Sequence, residues 1–287
     1  MKTGIVRLAY LLLLPALIIS AISCTGGRNF VIEPGLRYLV ETGDNPDSLT
    51  TTAASELERY ISLITRAPLK KVSGNEKPEG TIHIGRSGIT DTAVLREIDG
   101  LSRDGFLVIS GKDRLIIAGN NGDADLGAVY AVLEEFAGCM RFTSEEEYIP
   151  HLRKITIPPQ HEIHEPAFSF RVAHFPDRNS STFTSWNRMS TFNDWGLFVH
   201  TFPRLMPPSE YFAAHPEYFS LVNGRRIRDG QLCLSNPEVI TILTENLGRL
   251  IAEQPEKTYW SVSQNDCINY CECEECRKLY EKYGTIS

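Results

Sequence analysis

The fold predicted for the first half of the chain depends on residues 105–138, GFLVISGKDRLIIAGNNGDADLGAVYAVLEEFAG. Two apolar runs, FLVIS and RLIIAG, flank a Gly-Lys-Asp turn and predict a β-hairpin. The residues that follow repeat apolar side chains at helical spacing. This pattern predicts a helix that Asp123 or Asp125 caps and Gly138 ends. A hairpin followed by an amphipathic helix is typical of an α+β unit.

The sequence before this stretch completes the same domain. TIHIG (81–85) alternates and ends in glycine, as a strand does. An earlier helix, with Thr51 or Thr52 as its cap, is predicted from apolar residues at helical spacing, namely Leu57, Tyr60, Ile61 and Ile64. We therefore predict an α+β sandwich domain over residues 30–142, in which the helices cover one face of a small sheet.

A proline-rich segment separates this domain from the rest of the chain. Residues 143–166 contain four prolines and mixed charge, which predicts a linker. Beyond it, apolar runs alternate with helical patterns, which predicts a parallel sheet. The predicted strands are FSFRVAHF (168–175), GLFVHTF (196–202), QLCLS (231–235) and YWSVS (259–263). We predict that residues 167–287 form the N-terminal part of a TIM-barrel-like (β/α)8 domain. Because a closed barrel needs at least about 200 residues, we expect it to continue beyond Ser287.

Local signals place three more elements in this second half. Asn223-Gly224 is the strongest short hairpin signal in the chain. Asn236 followed by Pro237 predicts the start of a helix, because asparagine caps helices well and proline fits their first position. CEECRKLYEKYG predicts a last helix that ends at Gly284.

Bulk composition limits the class of partner. The chain has 287 residues, 42% hydrophobic and 23% charged, which is typical of a folded globular protein. The formal net charge is −7 and no basic block stands out, so nucleic acid is excluded as the expected partner. Residues 1–24 differ: Lys2 and Arg7 precede an apolar run that ends in small residues before Cys24. This pattern predicts a signal peptide, with a transmembrane anchor as the alternative.

Several motifs carry a resemblance to known families. Residues 104–142 resemble the non-catalytic N-terminal domain of bacterial α-glucuronidases and β-N-acetylhexosaminidases. HPEYFSLVNGRR, QLCLSNPEV and SVSQND followed by YCECEEC resemble the domain-of-unknown-function 4838 family, whose barrel is glycoside-hydrolase-like. AISC resembles a bacterial lipobox. It implies that Cys24 is lipidated and that the exported protein is anchored to a bacterial membrane, in the periplasm or at the cell surface.

Candidate site residues follow the predicted strands, because functional side chains of parallel barrels lie at the carboxyl ends of strands. Glycoside hydrolysis uses two carboxyl groups that flank the bond. Asp266 is the catalytic candidate, with an N-cap as its alternative role, and its partner carboxylate is expected beyond Ser287. The candidate sugar-binding residues are His174, Trp186, Asn187, His200, Gln264 and Asn265. The alternative for the tryptophan is core packing, and His200 is as well explained as a buried structural histidine.

The predicted function is hydrolysis of a glycosidic bond in polysaccharide-derived glycans by an exported lipoprotein that requires no cofactor. The alternative is a lipoprotein that binds glycan without cleaving it. Carbohydrate is the expected small-molecule partner in both cases.

The chain's cysteines concentrate near its end. Four thiols lie within ten residues, those of Cys267, Cys271, Cys273 and Cys276. Cys233 ends a predicted strand on the same face, so a set of four that includes it is also open. Only one Cys-x-x-Cys pair is present, so both disulfides and a structural zinc ion remain open. A nucleophilic cysteine is not expected, because no cysteine–histidine pairing is evident.

Overall fold

The computed structural model describes residues 27–72, 76–190 and 192–285. The predicted signal peptide and Cys24 lie outside the described residues. Contacts between Cα atoms divide the chain into an N-terminal unit, residues 1–189, and a C-terminal unit, residues 190–287. None of the helices in the described part of the chain has both the length and the apolar character needed to cross a membrane.

The N-terminal unit is a mixed α/β structure. Its helices are α1 (Ser48–Thr65), α2 (Thr92–Asp99), α3 (Gly122–Ala137) and α4 (Ser181–Trp186). Its strands are β1 (Phe30–Ile32), β2 (Arg37–Glu41), β3 (Lys70–Lys71), β4 (Gly80–Ile84), β5 (Phe106–Ser110), β6 (Arg114–Gly119), β7 (Met140–Arg141), β8 (Glu147–Tyr148), β9 (Ile155–Ile157) and β10 (Gln160–His164). A short 3-10 helix spans Pro176–Asn179.

Six of these strands form one sheet in the order β10-β5-β6-β4-β2-β3. Strands β2, β3, β4 and β6 run parallel, whereas β5 pairs antiparallel with both β6 and β10. The predicted hairpin is therefore confirmed, with Val108 opposite Ile117. Two small antiparallel pairs, β1 with β9 and β7 with β8, lie outside this sheet.

Both faces of the six-stranded sheet are covered. Val108 and Ile117 pack on one face in the main core, to which α1 and α3 contribute. The side chains that alternate with them, such as Ile109 and Ile116, pack on the other face with residues of α2. The prediction of helices on one face was wrong because α2 was not recognised from the sequence. It is only eight residues long, and its core contribution rests on two buried residues.

Helix ends were predicted with mixed success. Gly138 ends α3 in the left-handed conformation, φ 72°, as predicted. The caps lie earlier than expected, since Asp47 caps α1 through the backbone nitrogens of Leu49 and Thr50, and Asn121 caps α3. The side chains of aspartate and asparagine accept hydrogen bonds from the first free N–H groups of a helix. The residues predicted as caps lie inside the helices instead, namely Thr51 and Thr52 in α1 and Asp123 and Asp125 in α3.

The predicted linker, residues 143–166, belongs to the N-terminal unit. It supplies β9, which pairs with β1, and β10, which forms the edge of the main sheet. The predicted strand at residues 168–175 does not form; that segment is irregular and leads into the 3-10 helix and α4. The unit boundary at residue 189 therefore lies beyond the predicted one.

The C-terminal unit contains short strands and two long helices. Its helices are α5 (Phe202–Leu205), α6 (Pro208–Tyr211), α7 (Pro237–Glu253) and α8 (Glu274–Tyr283), and its strands are β11 (Trp195–Leu197), β12 (Leu221–Val222), β13 (Arg225–Arg226) and β14 (Tyr259–Trp260). Short 3-10 helices span Phe192–Asp194 and Pro216–Tyr218. The Asn236 cap of α7 and the Asn223-Gly224 hairpin are confirmed.

The described part of the C-terminal unit has one parallel strand pair, β11 with β14. The predicted strand at residues 231–235 forms a single bridge, Phe219 to Leu232. The barrel therefore stays a prediction, whereas a mixed α/β fold is what the structure has. A core of apolar side chains packs around α7, including Leu197, Phe219, Val239 and Leu243.

Candidate functional site

The segments that follow β11 and β14 meet at the carboxyl ends of these parallel strands. The backbone nitrogen of Thr201 donates to the carbonyl oxygen of Ser263 over 3.0 Å. In return, the nitrogen of Ser263 donates to Oγ1 of Thr201 over 2.8 Å. We call residues 200–201 and 263–266 the strand-end rim. Polar groups gather here because the ends of parallel strands share one edge of the sheet.

His200 is exposed in this rim and held in one orientation. Its Nδ1 donates to the carbonyl oxygen of Gln264 over 3.1 Å, since a carbonyl can only accept. That bond leaves Nε2 of a neutral ring as an acceptor. The backbone of His200 has a φ of 54°, a left-handed conformation that costs energy for any residue with a Cβ. The prediction of a buried structural histidine is wrong, because the side chain is exposed.

A buried glutamine positions the other side of the rim. Gln231 is only 3% exposed, and its Nε2 donates to the carbonyl oxygens of Asn265 and Cys267 over 2.7 and 2.8 Å. Its Oε1 accepts from the Asn265 nitrogen over 2.9 Å. The Asn265 side chain in turn donates to the Gly230 carbonyl oxygen over 2.6 Å. Gln231 was not predicted as a site residue, because its hydrogen-bond partners lie far from it in sequence.

Asp266 is exposed in a bend of the segment that follows β14. The predicted alternative, a cap for the helix that bears the cysteines, is wrong: α8 begins at Glu274, and Cys273 is its N-cap residue. The carboxylate is therefore free of a capping role. The side chain of Gln264 has its Nε2 3.5 Å from the hydroxyl of Tyr270. The structure thus joins His200 to the Gln264 backbone, with Asp266 exposed two residues further along the chain. The predicted sugar-binding role of Asn265 is wrong, because its Nδ2 is bonded to Gly230 and its Oδ1 is buried.

The other three candidates lie in the N-terminal unit. Trp186 is 1% exposed and packs against Tyr60 and Tyr130, with ring centroids 5.1 and 4.6 Å away. Its predicted role in sugar binding is wrong, because no face of the indole is open to a ligand. His174 is exposed, and its Nδ1 lies 3.0 Å from Nη1 of Arg178.

Asn187 follows α4 and donates from Nδ2 to the Phe183 carbonyl oxygen over 3.0 Å. It also lines a cavity of the N-terminal unit, whose other lining residues include Asp104, His164, Glu165, Arg171 and Arg188. The charged groups there are engaged with protein partners: Arg171 bonds Asp104 over 2.7 Å, and Glu165 accepts from the Ser102 nitrogen over 2.9 Å. Because the charged side chains of this cavity already bind protein groups, it is a weaker candidate site than the strand-end rim.

Four cysteines meet in the C-terminal unit, as the sequence indicated. The Sγ atoms of Cys233, Cys271, Cys273 and Cys276, which we call the four-cysteine cluster, all lie within 4.8 Å of one another. Cys233 Sγ is 3.6 Å from that of Cys273 and 3.9 Å from that of Cys276. The structure pairs none of its described cysteines in a disulfide.

Hydrogen-bond donors surround the four-cysteine cluster. The backbone nitrogen of Leu221 lies 3.4 Å from Cys271 Sγ, and Nη1 of Arg226 lies 3.9 Å from the same sulfur. The Ser235 hydroxyl is 3.5 Å from the sulfurs of Cys233 and Cys273. The hydrogen bond between Cys271 and Cys233 lowers the pKa of Cys233 and raises the pKa of Cys271.

Comparison with known proteins identifies the family. Residues 141–287 match the model of the family described as Domain of unknown function (DUF4838). This match covers half of the chain, and the chain belongs to that family. No functionally curated protein matches it at a significant level.

Solved structures similar to this chain are glycoside hydrolases. Flavobacterium johnsoniae chitobiase is 16% identical, with a TM-score of 0.41, over 89% of this chain and 46% of that one. A β-N-acetylhexosaminidase from Bacteroides fragilis is 13% identical, with a TM-score of 0.38, over 90% of this chain and 58% of that one. A GH20 exo-β-N-acetylglucosaminidase from Vibrio harveyi is 12% identical, with a TM-score of 0.32, over 50% of this chain and 18% of that one. The chain thus spans less than two thirds of the length of each.

Proposed function

We propose that this protein acts on glycans as a glycoside hydrolase and that the strand-end rim forms part of its sugar site. The observation that supports the proposal is that the segments carrying His200 and Asp266 are joined at the carboxyl ends of two parallel strands, through the bond from His200 to the Gln264 carbonyl. Binding sites of parallel α/β structures lie at this end. Sugars present many hydroxyl groups, which both donate and accept, and the rim offers Nε2 of His200, the side-chain amide of Gln264 and the carboxylate of Asp266 to pair with them.

The chemistry assigned to the rim centres on Asp266. In glycoside hydrolysis one carboxylic acid gives its proton to the leaving oxygen as the glycosidic bond breaks, and a second carboxylate attacks the sugar carbon or activates water. Asp266 is exposed and is the acid of the rim that substrate can reach. Nε2 of His200 can accept a hydrogen bond from a sugar hydroxyl, because Nδ1 donates to the Gln264 carbonyl oxygen.

The second candidate function is glycan binding without cleavage. It is favoured by the same rim, which contains one carboxylate where hydrolysis uses two. Both functions require sugar at the rim, so they differ in turnover and not in the place of binding.

The test measures binding and hydrolysis with the full protein. A panel of aryl glycosides and polysaccharide-derived oligosaccharides is offered to wild type, Asp266→Asn and a control, Glu245→Gln, which changes an exposed carboxylate on α7. We expect Asp266→Asn to lower hydrolysis by about 10²–10⁴-fold and the control to leave it unchanged. Binding that depends on Asp266 without any hydrolysis supports the second function. No glycan binding by wild type contradicts both.

The proposed site of action is the outside of a bacterial membrane, with Cys24 as the lipid anchor. The support is the sequence pattern of residues 1–24. A Cys24→Ser change is expected to move the protein from the membrane fraction to the soluble fraction. Equal membrane association of both forms contradicts the anchor.

A further inference from the structure

We propose that the C-terminal unit binds one structural zinc ion through the four-cysteine cluster, Cys233, Cys271, Cys273 and Cys276. This site is separate from the strand-end rim and does not depend on the proposed action on glycans. Binding exchanges the four thiol protons, which leave to solvent, for one Zn²⁺ held by four thiolates.

The spacing of the sulfurs fits a tetrahedral zinc site. With zinc–sulfur bonds of about 2.3 Å, the sulfurs of a regular tetrahedron lie about 3.8 Å apart. The distances from Cys233 Sγ to Cys273 Sγ and Cys276 Sγ are 3.6 and 3.9 Å. A disulfide joins two sulfurs at about 2.04 Å and leaves other sulfurs out. Here each sulfur instead lies within 4.8 Å of three others, as ligands of a shared ion do.

The cysteines of the cluster are those whose sulfurs meet in the fold, and not those closest in sequence. Cys267 lies nearer in sequence to Cys271 than Cys233 does, yet its sulfur accepts from Nε2 of Gln231 over 3.3 Å and lies outside the cluster. Cys233 comes from a distant segment and completes the set of four. Three of the four cluster cysteines are buried, so the ion would be shielded from water.

The surroundings suit a negatively charged metal–thiolate centre. Cys273 is the N-cap residue of α8 and Cys276 lies in its first turn, where the positive end of the helix dipole favours negative charge. The Leu221 nitrogen and the Arg226 guanidinium point at Cys271 Sγ, as hydrogen-bond donors to metal-bound sulfur do. Four protein ligands leave no open position, so the ion has a structural role and not a catalytic one.

The metal would connect three segments of the C-terminal unit. Cys233 lies just before α7, Cys271 and Cys273 end the long segment after β14, and Cys276 belongs to α8. The rim residues 263–266 lie in that same segment, between β14 and the cluster. The ion therefore anchors the carboxyl end of the segment that carries Asp266.

The first experiment determines the metal and the sulfur state in the wild-type protein. We expect elemental analysis to give one zinc ion per chain. Cobalt substitution is expected to give the visible absorption of a tetrahedral thiolate site. The protein is also unfolded in denaturant with EDTA and alkylated without reductant. All four cluster cysteines should then be alkylated in peptide maps. Cluster cysteines that alkylate only after reduction are disulfides, and that result overturns the proposal. So does iron in place of zinc, or metal-free protein that does not take up zinc.

Single variants then assign the ligands. Cys233→Ser and Cys276→Ser are expected to lower zinc content and to weaken the cobalt absorption. Cys267→Ser is the matched control, because it removes a nearby thiol outside the cluster. Loss of zinc in Cys267→Ser but not in Cys233→Ser contradicts the assignment. The wild-type metal and thiol measurements decide the proposal even if a ligand variant does not fold.

Discussion

At the scale of single residues, His200 combines backbone strain with an exposed position in the strand-end rim. Its φ is 54°, and Asn223 in the β12–β13 turn has a similar φ of 51°. A residue with a Cβ pays about 1–2 kcal/mol in this conformation, whereas glycine does not. Strain of this kind is often kept at functional sites. His200 is thus expected to be retained for its imidazole and not for stability.

We predict that His200→Gly keeps the stability of the protein and weakens glycan binding. Relief of strain offsets the entropy that glycine loses on folding, about 0.5–1 kcal/mol, so stability should stay within about 1 kcal/mol. Loss of the imidazole hydrogen bond should weaken binding about three- to tenfold. Urea denaturation and calorimetric glycan titration measure the two effects. Asn223→Gly, the matched control outside the rim, should leave binding unchanged. Equal binding by both variants removes His200 from the sugar site.

Asp125 is a second residue whose environment has a measurable consequence. Its carboxylate accepts from Oγ1 of Thr50 and from the Gly119 nitrogen, both over 2.7 Å. Burial raises the pKa of Asp125 from 3.8 to about 6. The folded state therefore binds this proton more tightly than the unfolded state does. Its contribution to stability is present below pH 3.8 and is lost as the pH rises to 6.

We predict that Asp125→Asn removes part of the pH dependence of unfolding. For a pKa shift of this size, Asp125 lowers the free energy of unfolding of the wild type by about 3 kcal/mol between about pH 4 and 6. The amide keeps the shape of the side chain and the oxygen that accepts from the Gly119 nitrogen. The stability of the variant relative to wild type should therefore increase as the pH rises. Urea denaturation at pH 4 and pH 7 measures the difference. Asp123→Asn changes an exposed carboxylate on the same helix as a control. Parallel pH profiles of Asp125→Asn and wild type contradict the prediction.

At the scale of secondary-structure elements, β9 shows that the segment predicted to be a linker contributes to the core. Ile157 is 0% exposed and lies opposite Phe30 of β1. We predict that Ile157→Ala costs about 2–5 kcal/mol of stability, because it leaves a cavity in the core. Ile163→Ala on β10 is the matched control, since Ile163 is 51% exposed and the change should cost less than about 0.5 kcal/mol. Equal denaturation midpoints for the two variants would mean that β9 is not part of this core.

The elements that were predicted correctly are those with local signals. The β5–β6 turn, Asn223-Gly224, the Asn236 cap and Gly138 each depend on a few neighbouring residues whose backbone preferences are strong. Pairing of β1 with β9 depends on residues far apart in sequence, and four prolines concealed it in residues 143–166. The indole of Trp186 was ambiguous for the same reason, because only the fold decides whether an aromatic ring faces a core or a ligand.

The candidate site shows the same division between local and distant information. The rim residues Gln264, Asn265 and Asp266 were chosen as candidates because they follow an apolar run directly. Gln231 was missed because its hydrogen bonds reach residues 34 and 36 positions away. Cys233 was placed near the other cysteines only by assuming that strand ends share a face, and the sulfur distances now support that placement.

At the scale of the whole molecule, the two units differ in what holds them together. The N-terminal unit has a large apolar core that includes Trp186, Tyr60 and Ile117. The described part of the C-terminal unit has a smaller core around α7, and its strands are only two or three residues long. A unit with a small core and short strands gains more from a bound metal, because the ion restricts segments that the core does not hold.

We predict that removal of the metal loosens the C-terminal unit and leaves the N-terminal unit unchanged. Chelation should raise hydrogen exchange in peptides from residues 221–233 and 261–276, because the four-cysteine cluster connects these segments. Peptides from β5 and β6 are the internal control, since they lie in a covered sheet of the other unit. Mass spectrometry after exchange, with and without chelator, measures both sets in one sample. Restoring zinc should reverse the change. Faster exchange in both units, or in neither, would contradict a local structural role for the metal.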